Sequence, residues 1–245
     1  MNALLNAPEA NPTTDATVER CNLYVGVHRA LRHFMTDTLV RVGRLDVSDA
    51  SETDATLAQL DALLRACTAH IEHENDFLHT AIEARLPAGA ARTSADHLEH
   101  GASIAALHDE AAALAAAGAA ERSLRALRLY RHLALFVAEN FQHMHVEETV
   151  NAATLWALYT DAELNEIHDR LLATLRPEEH LLMARWLVPA SPPAERAALF
   201  QSMQQRTPPE AFVGVLMHVR PHLGARDWSK LARAVGVAES FGATP

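Results

Sequence analysis

Cysteine is scarce in this chain of 245 residues. Cys21 and Cys67 are its two cysteines, too few for a disulfide framework, and this usage fits a reducing compartment. The first residues carry neither a basic region nor an apolar stretch of signal-peptide length. From these features we expect a cytoplasmic protein.

Long hydrophobic runs and excess positive charge are missing as well. The longest apolar stretch, residues 111–120, is alanine-rich, is broken by Gly118, and is far shorter than a membrane span requires. The formal net charge of −10 disfavours a nucleic-acid backbone or an anionic membrane surface as a partner. The same charge favours cations. We therefore expect neither nucleic acid nor membrane among the partners.

Strand-forming residues are few, since aromatic residues make up 5% of the chain and alanine and leucine dominate over valine and isoleucine. This composition favours helix over strand, so the predicted fold class is all-α. Residues 1–17 are rich in asparagine, proline and threonine and predict a flexible leader. Apolar residues at helical spacing then predict four long helices. Their approximate ranges are 18–42, 54–85, 94–118 and 121–159.

The connections between these helices are short, which makes successive helices antiparallel. Residues 18–160 therefore predict an up-down-up-down four-helix bundle. Residues 161–245 predict a C-terminal helical extension, with a proline-rich break at residues 188–193. We expect this extension to pack on the bundle or on a second subunit, in which case a homodimer could form through it.

One histidine–carboxylate pattern occurs twice along the predicted bundle. In each copy a lone histidine precedes an HxxxE pair, by 42 residues in the first copy and 43 in the second. Positions i and i+4 of a helix project from the same face, and imidazole with carboxylate is a ligand set of iron, zinc or manganese. The six candidate metal ligands are His28, His70, Glu74, His100, His143 and Glu147.

An isolated HxxxE pair is weak evidence, because about one would arise by chance in a chain of this composition. A third pair, His79 with Glu83, illustrates this. At about 100° per residue, His79 is turned by about 180° from His70, so we expect this pair to face solvent. The duplicated spacing carries the inference, because an antiparallel bundle relates the two copies by a pseudo-twofold axis.

The duplicated pattern resembles that of the hemerythrin-like (HHE cation-binding) family, over about residues 20–160. The resemblance implies a four-helix bundle that holds a non-haem di-iron centre, although zinc or manganese would also suit these ligands. It further implies that Glu74 and Glu147 bridge two iron ions and that the histidines are terminal ligands. An open coordination position on such a centre implies binding of O₂ or another small diatomic or peroxide ligand.

Two positions depart from the oxygen carriers of this family. The carriers have a further histidine one turn before the ligand of the third helix, where this chain has Asp96, followed by His97. Asp96 could replace the missing imidazole, and it favours other chemistry over dedicated oxygen carriage. The matching position on the first helix is Tyr24, which is either a hydrogen-bond donor to an iron-bound oxygen species or a packed core residue.

Several neighbours are candidates for outer contacts or additional ligands. Glu148 offers a second register on the fourth predicted helix, although Glu147 lies closer in helical phase to His143. Glu139 precedes His143 by four residues and so shares its face. His73 and His97 lie about 60° from the faces of the ligands and are spare ligands.

Three functions remain open from the sequence. The first is a di-iron protein that binds or senses O₂ or related small molecules. The second is a di-iron enzyme that turns over peroxide, NO or O₂ in stress defence. The third is an iron-dependent interaction module, in which the C-terminal helices contact a partner.

Overall fold

The fold is all-helical, as predicted. The computed structural model describes residues 20–241, and across that range the chain forms helices joined by short turns, without a β-strand. The predicted leader, residues 1–17, lies outside the described residues. Throughout the same range, every helix falls short of the length or the hydropathy that crossing a membrane would require.

The part of the chain predicted to form four long helices is helical almost throughout. Asp49 caps the second of these helices by accepting a hydrogen bond from the backbone N–H of Glu52 at 3.0 Å, so this helix begins before residue 54. The helices are α1 (Val25–Gly43), α2 (Ala50–His73), α3 (Thr80–Arg85), α4 (Ala91–Ala115), α5 (Ala119–Val146) and α6 (Ala152–Leu158).

Two π-helical segments interrupt this helical pattern. Glu74–His79 joins α2 to α3, and Glu147–Asn151 joins α5 to α6. A π-helical turn holds more residues than an α-helical turn, so each segment changes the angular phase of the residues that follow it. Both segments begin at the glutamate of an HxxxE pair.

The remaining helices are shorter. Thr160 opens the first of them with a capping box, in which its hydroxyl accepts the N–H of Glu163 and the Glu163 carboxylate accepts the N–H of Thr160. Proline begins the next three, where a missing N–H costs no helical hydrogen bond. These helices are α7 (Asp161–Leu172), α8 (Pro177–Ala190), α9 (Pro193–Arg206), α10 (Pro209–Val219) and α11 (Ala225–Val235).

The main apolar core lies between the long helices. Helix α1 packs against α2, α5 and α8, and α4 packs against α2 and α5. Removal of these aliphatic and aromatic faces from water is the principal force that holds the helices together. The core includes the fully buried residues Leu31, Leu60, Leu64, Leu107, Leu133 and Phe136.

A second apolar cluster closes the end of the long helices next to the π-helical segments. Arg20 ties this end together, because its guanidinium pairs with Asp161 at 3.0 Å and donates to the carbonyl oxygens of Trp156 and Tyr159. Helix α7 thereby covers this end of the molecule. The buried members of the cluster include Tyr24, Leu78, Ile82, Leu155, Leu164 and Ile167.

Helix α8 joins the C-terminal part to the long helices. The indole of Trp186 stacks on the ring of Phe34 in α1, with centroids 4.1 Å apart and an interplanar angle of 13°. Trp186 thus belongs to the main core, although it lies within the predicted extension. Helices α8 to α11 enclose a third cluster, whose buried residues include Val188, Phe200, Leu216, Trp228 and Leu231.

Replacing Trp186 tests this junction. Trp186→Ala should lower the free energy of unfolding by about 3–5 kcal/mol, because it removes a large buried ring and leaves a cavity against Phe34. Leu98→Ala is the control, since the Leu98 side chain is 79% exposed, and its effect should stay within about 0.5 kcal/mol. Urea denaturation followed by far-UV circular dichroism measures both. Equal stabilities would contradict the role assigned to Trp186.

Candidate metal centre

Histidine and glutamate side chains from four helical segments meet inside the molecule in two groups that can hold a metal ion. Within each group, one potential ligand atom from every residue lies within 4.8 Å of the others. The first group consists of His28, His70, Glu74 and Glu147. The second group consists of Glu74, His97, His143 and Glu147.

The two oxygens of Glu74 face different histidines. Oε1 lies 3.4 Å from Nε2 of His28 and 3.3 Å from Nε2 of His70. Oε2 lies 3.3 Å from Nε2 of His97, in the second group. Glu74 therefore presents one oxygen to each group.

Glu147 is also shared, but mainly through one oxygen. Its Oε2 lies 3.1 Å from Nε2 of His143 and 3.4 Å from Nε2 of His28, so it contacts both groups. Its Oε1 lies 3.6 Å from Nε2 of His97. Both carboxylates are thus common to both groups, and each glutamate lies at the α-to-π junction of its helix.

Many polar atoms in these groups are buried without a hydrogen-bond partner. They include Nε2 of His28, Nε2 of His70, and all four carboxylate oxygens of Glu74 and Glu147. Buried polar atoms left in this way cost stability, and carboxylates cost the most. Metal ions bound in the two groups would give these lone pairs a partner, so the donor set fits metal coordination.

The charges of the histidines and carboxylates in this cluster compensate one another. Burial lowers the pKa of His28, but the carboxylates of Glu147, Glu148 and Glu74 outweigh it and raise this pKa to about 10. The pKa of His97 is raised to about 9 by the same balance. Burial acts to raise the pKa of each shared carboxyl, yet the surrounding histidines hold both below the ordinary value.

Two further histidines near the centre, His70 and His100, favour the neutral form. Burial, reinforced by nearby imidazolium groups, lowers the pKa of His70 and that of His100 to about 4. A neutral imidazole has a lone pair available for a metal. His70 is therefore ready to coordinate without releasing a proton.

The third predicted helix contributes a different histidine from the one expected. His97, predicted as a spare ligand, is a member of the second group, whereas His100 is in neither group. His100 is buried beside the centre, with its ring centroid 4.9 Å from that of His143 and with Nδ1 unpartnered. The two histidines lie three positions apart and so differ by about 60° in direction, which spacing alone does not resolve.

The prediction that His79 faces solvent is wrong. His79 is buried, its ring stacks on that of His97 at 4.7 Å, and its Nε2 lies 3.9 Å from Oε1 of Glu147. The reason is the π-helical segment, which takes up about one extra residue and turns His79 by about 100° toward the centre. Glu83 separately caps the following turn by accepting the N–H groups of residues 88 and 90.

Glu139 does not take part in the centre, although the sequence predicted an outer contact. Its side chain is exposed, and the neighbouring Asn140 is buried and donates to the carbonyl oxygen of Phe136 at 2.8 Å. The buried positions of α5 follow a repeat of about 3.5 residues, which passes beside position 139. They include Leu133, Phe136, Asn140 and His143, and Glu147 continues the repeat in the π-helical segment.

His73 and Glu148 also lie outside both groups. His73 is half-buried and lies near Glu179 of α8. Glu148 instead contacts the far side of His28, with Oε1 3.1 Å from Nδ1 of that ring. Arg32 holds both oxygens of Glu148, at 2.5 and 3.0 Å. Glu148 therefore orients His28 from outside, as carboxylates often do behind metal-binding histidines.

The second group has outer partners of its own. Oδ2 of Asp96 lies 3.2 Å from Nδ1 of His143, and Oδ1 of Asn75 lies 2.8 Å from Nδ1 of His97. Asp96 thus contacts the outer nitrogen of a ligand rather than entering either group. Its side chain is 34% exposed, whereas that of His143 is 4% exposed, so Asp96 lies between the buried second group and the surface.

Tyr24 lies beside the first group. Its side chain is fully buried, its ring centroid lies 5.4 Å from that of His28, and its hydroxyl has no hydrogen-bond partner. Burial, together with the charges of Glu74 and Glu147, raises the pKa of Tyr24 well above its ordinary value. The hydroxyl is therefore protonated, and it lies close to the shared carboxylates.

Comparisons of the chain with protein families, with curated proteins and with solved structures found no match.

Removing the charge of Glu148 tests its contact with His28. Glu148→Gln should weaken the affinity for a divalent metal by about 10- to 100-fold, the effect typical of losing an outer carboxylate behind a ligand. Glu139→Gln is the matched control, because Glu139 is exposed on the same helical region, and its affinity should equal that of the wild type. Competition against a chromophoric chelator measures both. Equal affinities in all three proteins would refute this role.

Proposed function

We propose that this chain is a non-haem di-iron protein of hemerythrin type, which binds or senses O₂ or related small molecules. One observation carries the proposal: two buried histidine groups share the same two carboxylates, Glu74 and Glu147. Glu74 and Glu147 would help to hold a metal ion in each of the two groups, whereas a single ion would leave half of the cluster unused. The family assignment rests on the duplicated motif in the sequence.

The proposed bundle pairs its helices in two halves. Helix α1 supplies His28 and α2 supplies His70, so the histidines of the first group come from one half. Helices α4 and α5 supply His97 and His143 to the second group in the same way. Each half also contributes one shared glutamate. This arrangement supports an up-down-up-down bundle in which a pseudo-twofold axis relates the two ion positions.

Iron is the metal that we propose for these positions. Histidine and carboxylate ligands also suit zinc and manganese, so the choice of iron comes from the family resemblance. A pair of iron ions would supply reversible electron transfer to a small ligand. The protein itself keeps the shared carboxylates out of water, since Glu147 is 0% exposed. It also holds the outer ring nitrogens of His28, His97 and His143 through hydrogen bonds. Because the carboxylates are buried, only small molecules could reach them.

A di-iron enzyme that turns over peroxide, NO or O₂ is the second candidate function. The observation in its favour is Asp96, whose partly exposed carboxylate contacts His143 and connects the second group to the surface of the protein. Water and protons near the centre favour turnover of a bound oxygen species over its reversible release. A carrier or sensor, by contrast, needs a dry pocket.

Variants that address the two groups separately test the number of ions. Anaerobic loading with Fe(II), desalting and metal analysis should give two equivalents for the wild type and about one for His70→Ala or His97→Ala, because each loses one group. Glu147→Ala should retain close to none, since both groups need this residue. His145→Ala is the control, because His145 is exposed, and it should bind two. Two equivalents retained by Glu147→Ala would exclude the shared site.

Cycles of oxygenation separate the two candidate functions. The iron-loaded protein is exposed to O₂ and then deoxygenated while its visible absorption spectrum is recorded. A band that appears and disappears reversibly supports binding or sensing. Irreversible oxidation accompanied by consumption of added peroxide supports the enzyme. A spectrum that responds to neither O₂ nor peroxide contradicts both functions.

A further inference from the structure

The hydroxyl of Tyr24 is a hydrogen-bond donor with nothing to donate to. The side chain is fully buried, and the oxygen has no partner, although buried tyrosine hydroxyls normally find one. Leaving it unpaired costs stability, whereas phenylalanine would fill the same space without that cost. The position therefore calls for an explanation beyond packing.

The polar groups nearest to Tyr24 do not satisfy it. The four oxygens of Glu74 and Glu147 are unpartnered as well, so neither carboxylate accepts a hydrogen bond from the hydroxyl. Asn151 lies near the hydroxyl and acts to lower the pKa of Tyr24, but its amide nitrogen donates to the hydroxyl of Thr93 at 3.1 Å. Among the described residues no group, Asn151 included, is placed to complete a hydrogen bond with the tyrosine hydroxyl. The remaining surroundings are apolar, with Leu78 and other members of the second apolar cluster.

Tyr24 differs in chemistry from the other unpartnered atoms at the centre. Carboxylate oxygens and imidazole nitrogens are metal ligands, but a neutral phenol donates a hydrogen bond. It also differs from its counterpart on the other half of the bundle. Asp96, 72 positions later, is partly exposed and is already in contact with His143. A buried, protonated donor therefore stands at the first group and not at the corresponding position of the second.

We propose that the Tyr24 hydroxyl donates a hydrogen bond to a small exogenous ligand bound at the first group. The ligand class is a diatomic molecule or small anion that offers a nitrogen or oxygen acceptor atom, such as azide or NO. This inference rests on the proposed function, because the ligand must be held by a metal ion coordinated by His28 and His70. A hydrogen bond to an anionic acceptor such as azide is a strong one where the surroundings are largely buried.

Azide is the probe for this proposal. Wild type, Tyr24→Phe and Tyr130→Phe are loaded with Fe(II), oxidised to the ferric state, analysed for iron and titrated with azide through its absorption band. Tyr24→Phe should keep two irons and bind azide about 10- to 100-fold more weakly, as expected for loss of a hydrogen bond to a charged acceptor. Tyr130→Phe is the matched control, since Tyr130 is 37% exposed on α5, and should match the wild type.

A vibrational measurement distinguishes a hydrogen bond from a change in packing. In the infrared spectrum, the stretching band of bound azide should shift between H₂O and D₂O in the wild type and should not shift in Tyr24→Phe. A thermal melt of each protein establishes that the variant folds. If the ring of Tyr24 had only a packing role, the azide band would show the same isotope shift in Tyr24→Phe as in the wild type.

The outcomes separate this inference from the function on which it rests. A wild-type chain that binds no iron overturns both. Two irons, equal azide affinities and equal isotope shifts in the wild type and Tyr24→Phe overturn the role of Tyr24 alone. Loss of iron from a folded Tyr24→Phe variant would make the tyrosine a metal ligand and so would also overturn its role as a donor.

Discussion

Burying Glu74 and Glu147 beside each other places two negative charges in a region from which water is excluded, and charges in such a region need positive neighbours. The surrounding histidines supply them, since the pKa values of His28 and His97 lie far above the ordinary value. Every helix that carries one of these residues must approach within reach of the same carboxylates. Electrostatic interactions therefore constrain the packing of α1, α2, α4 and α5 where the shared carboxylates lie, and the burial of aliphatic side chains constrains it along the rest of these helices.

Much of this arrangement could be predicted from the sequence, because it depends on local spacing. The all-α class followed from composition and apolar periodicity, and the duplicated HxxxE pairs placed each histidine next to its glutamate. His28, His70, Glu74, His143 and Glu147 all lie within the two groups. These predictions needed only the regular geometry of an α-helix, together with the assumption that two similar halves face each other.

The predictions that failed depended on angles that a regular helix does not fix. His79 reached the centre because a π-helical segment changed its phase, and no residue type in that segment signals the change. The choice between His97 and His100 depended on how α4 is rotated about its own axis when it packs. Glu139 lies outside the row of buried residues on α5 because the rotation of that helix about its own axis was also not fixed by spacing. Packing between distant parts of the chain determines how far each helix is rotated, and this rotation cannot be inferred from residue spacing in the sequence.

The two π-helical segments also determine which changes in chain length this protein can accept. Deleting one residue from Glu74–His79 would let α2 and α3 join as one regular helix, and Leu78 and Ile82 would rotate out of the cluster that closes the end of the molecule. The same holds for Glu147–Asn151 and Leu155. Insertions and deletions that loops would absorb are therefore excluded at this level of the helices. A change of chain length in either segment would therefore shift the second apolar cluster relative to the shared carboxylates.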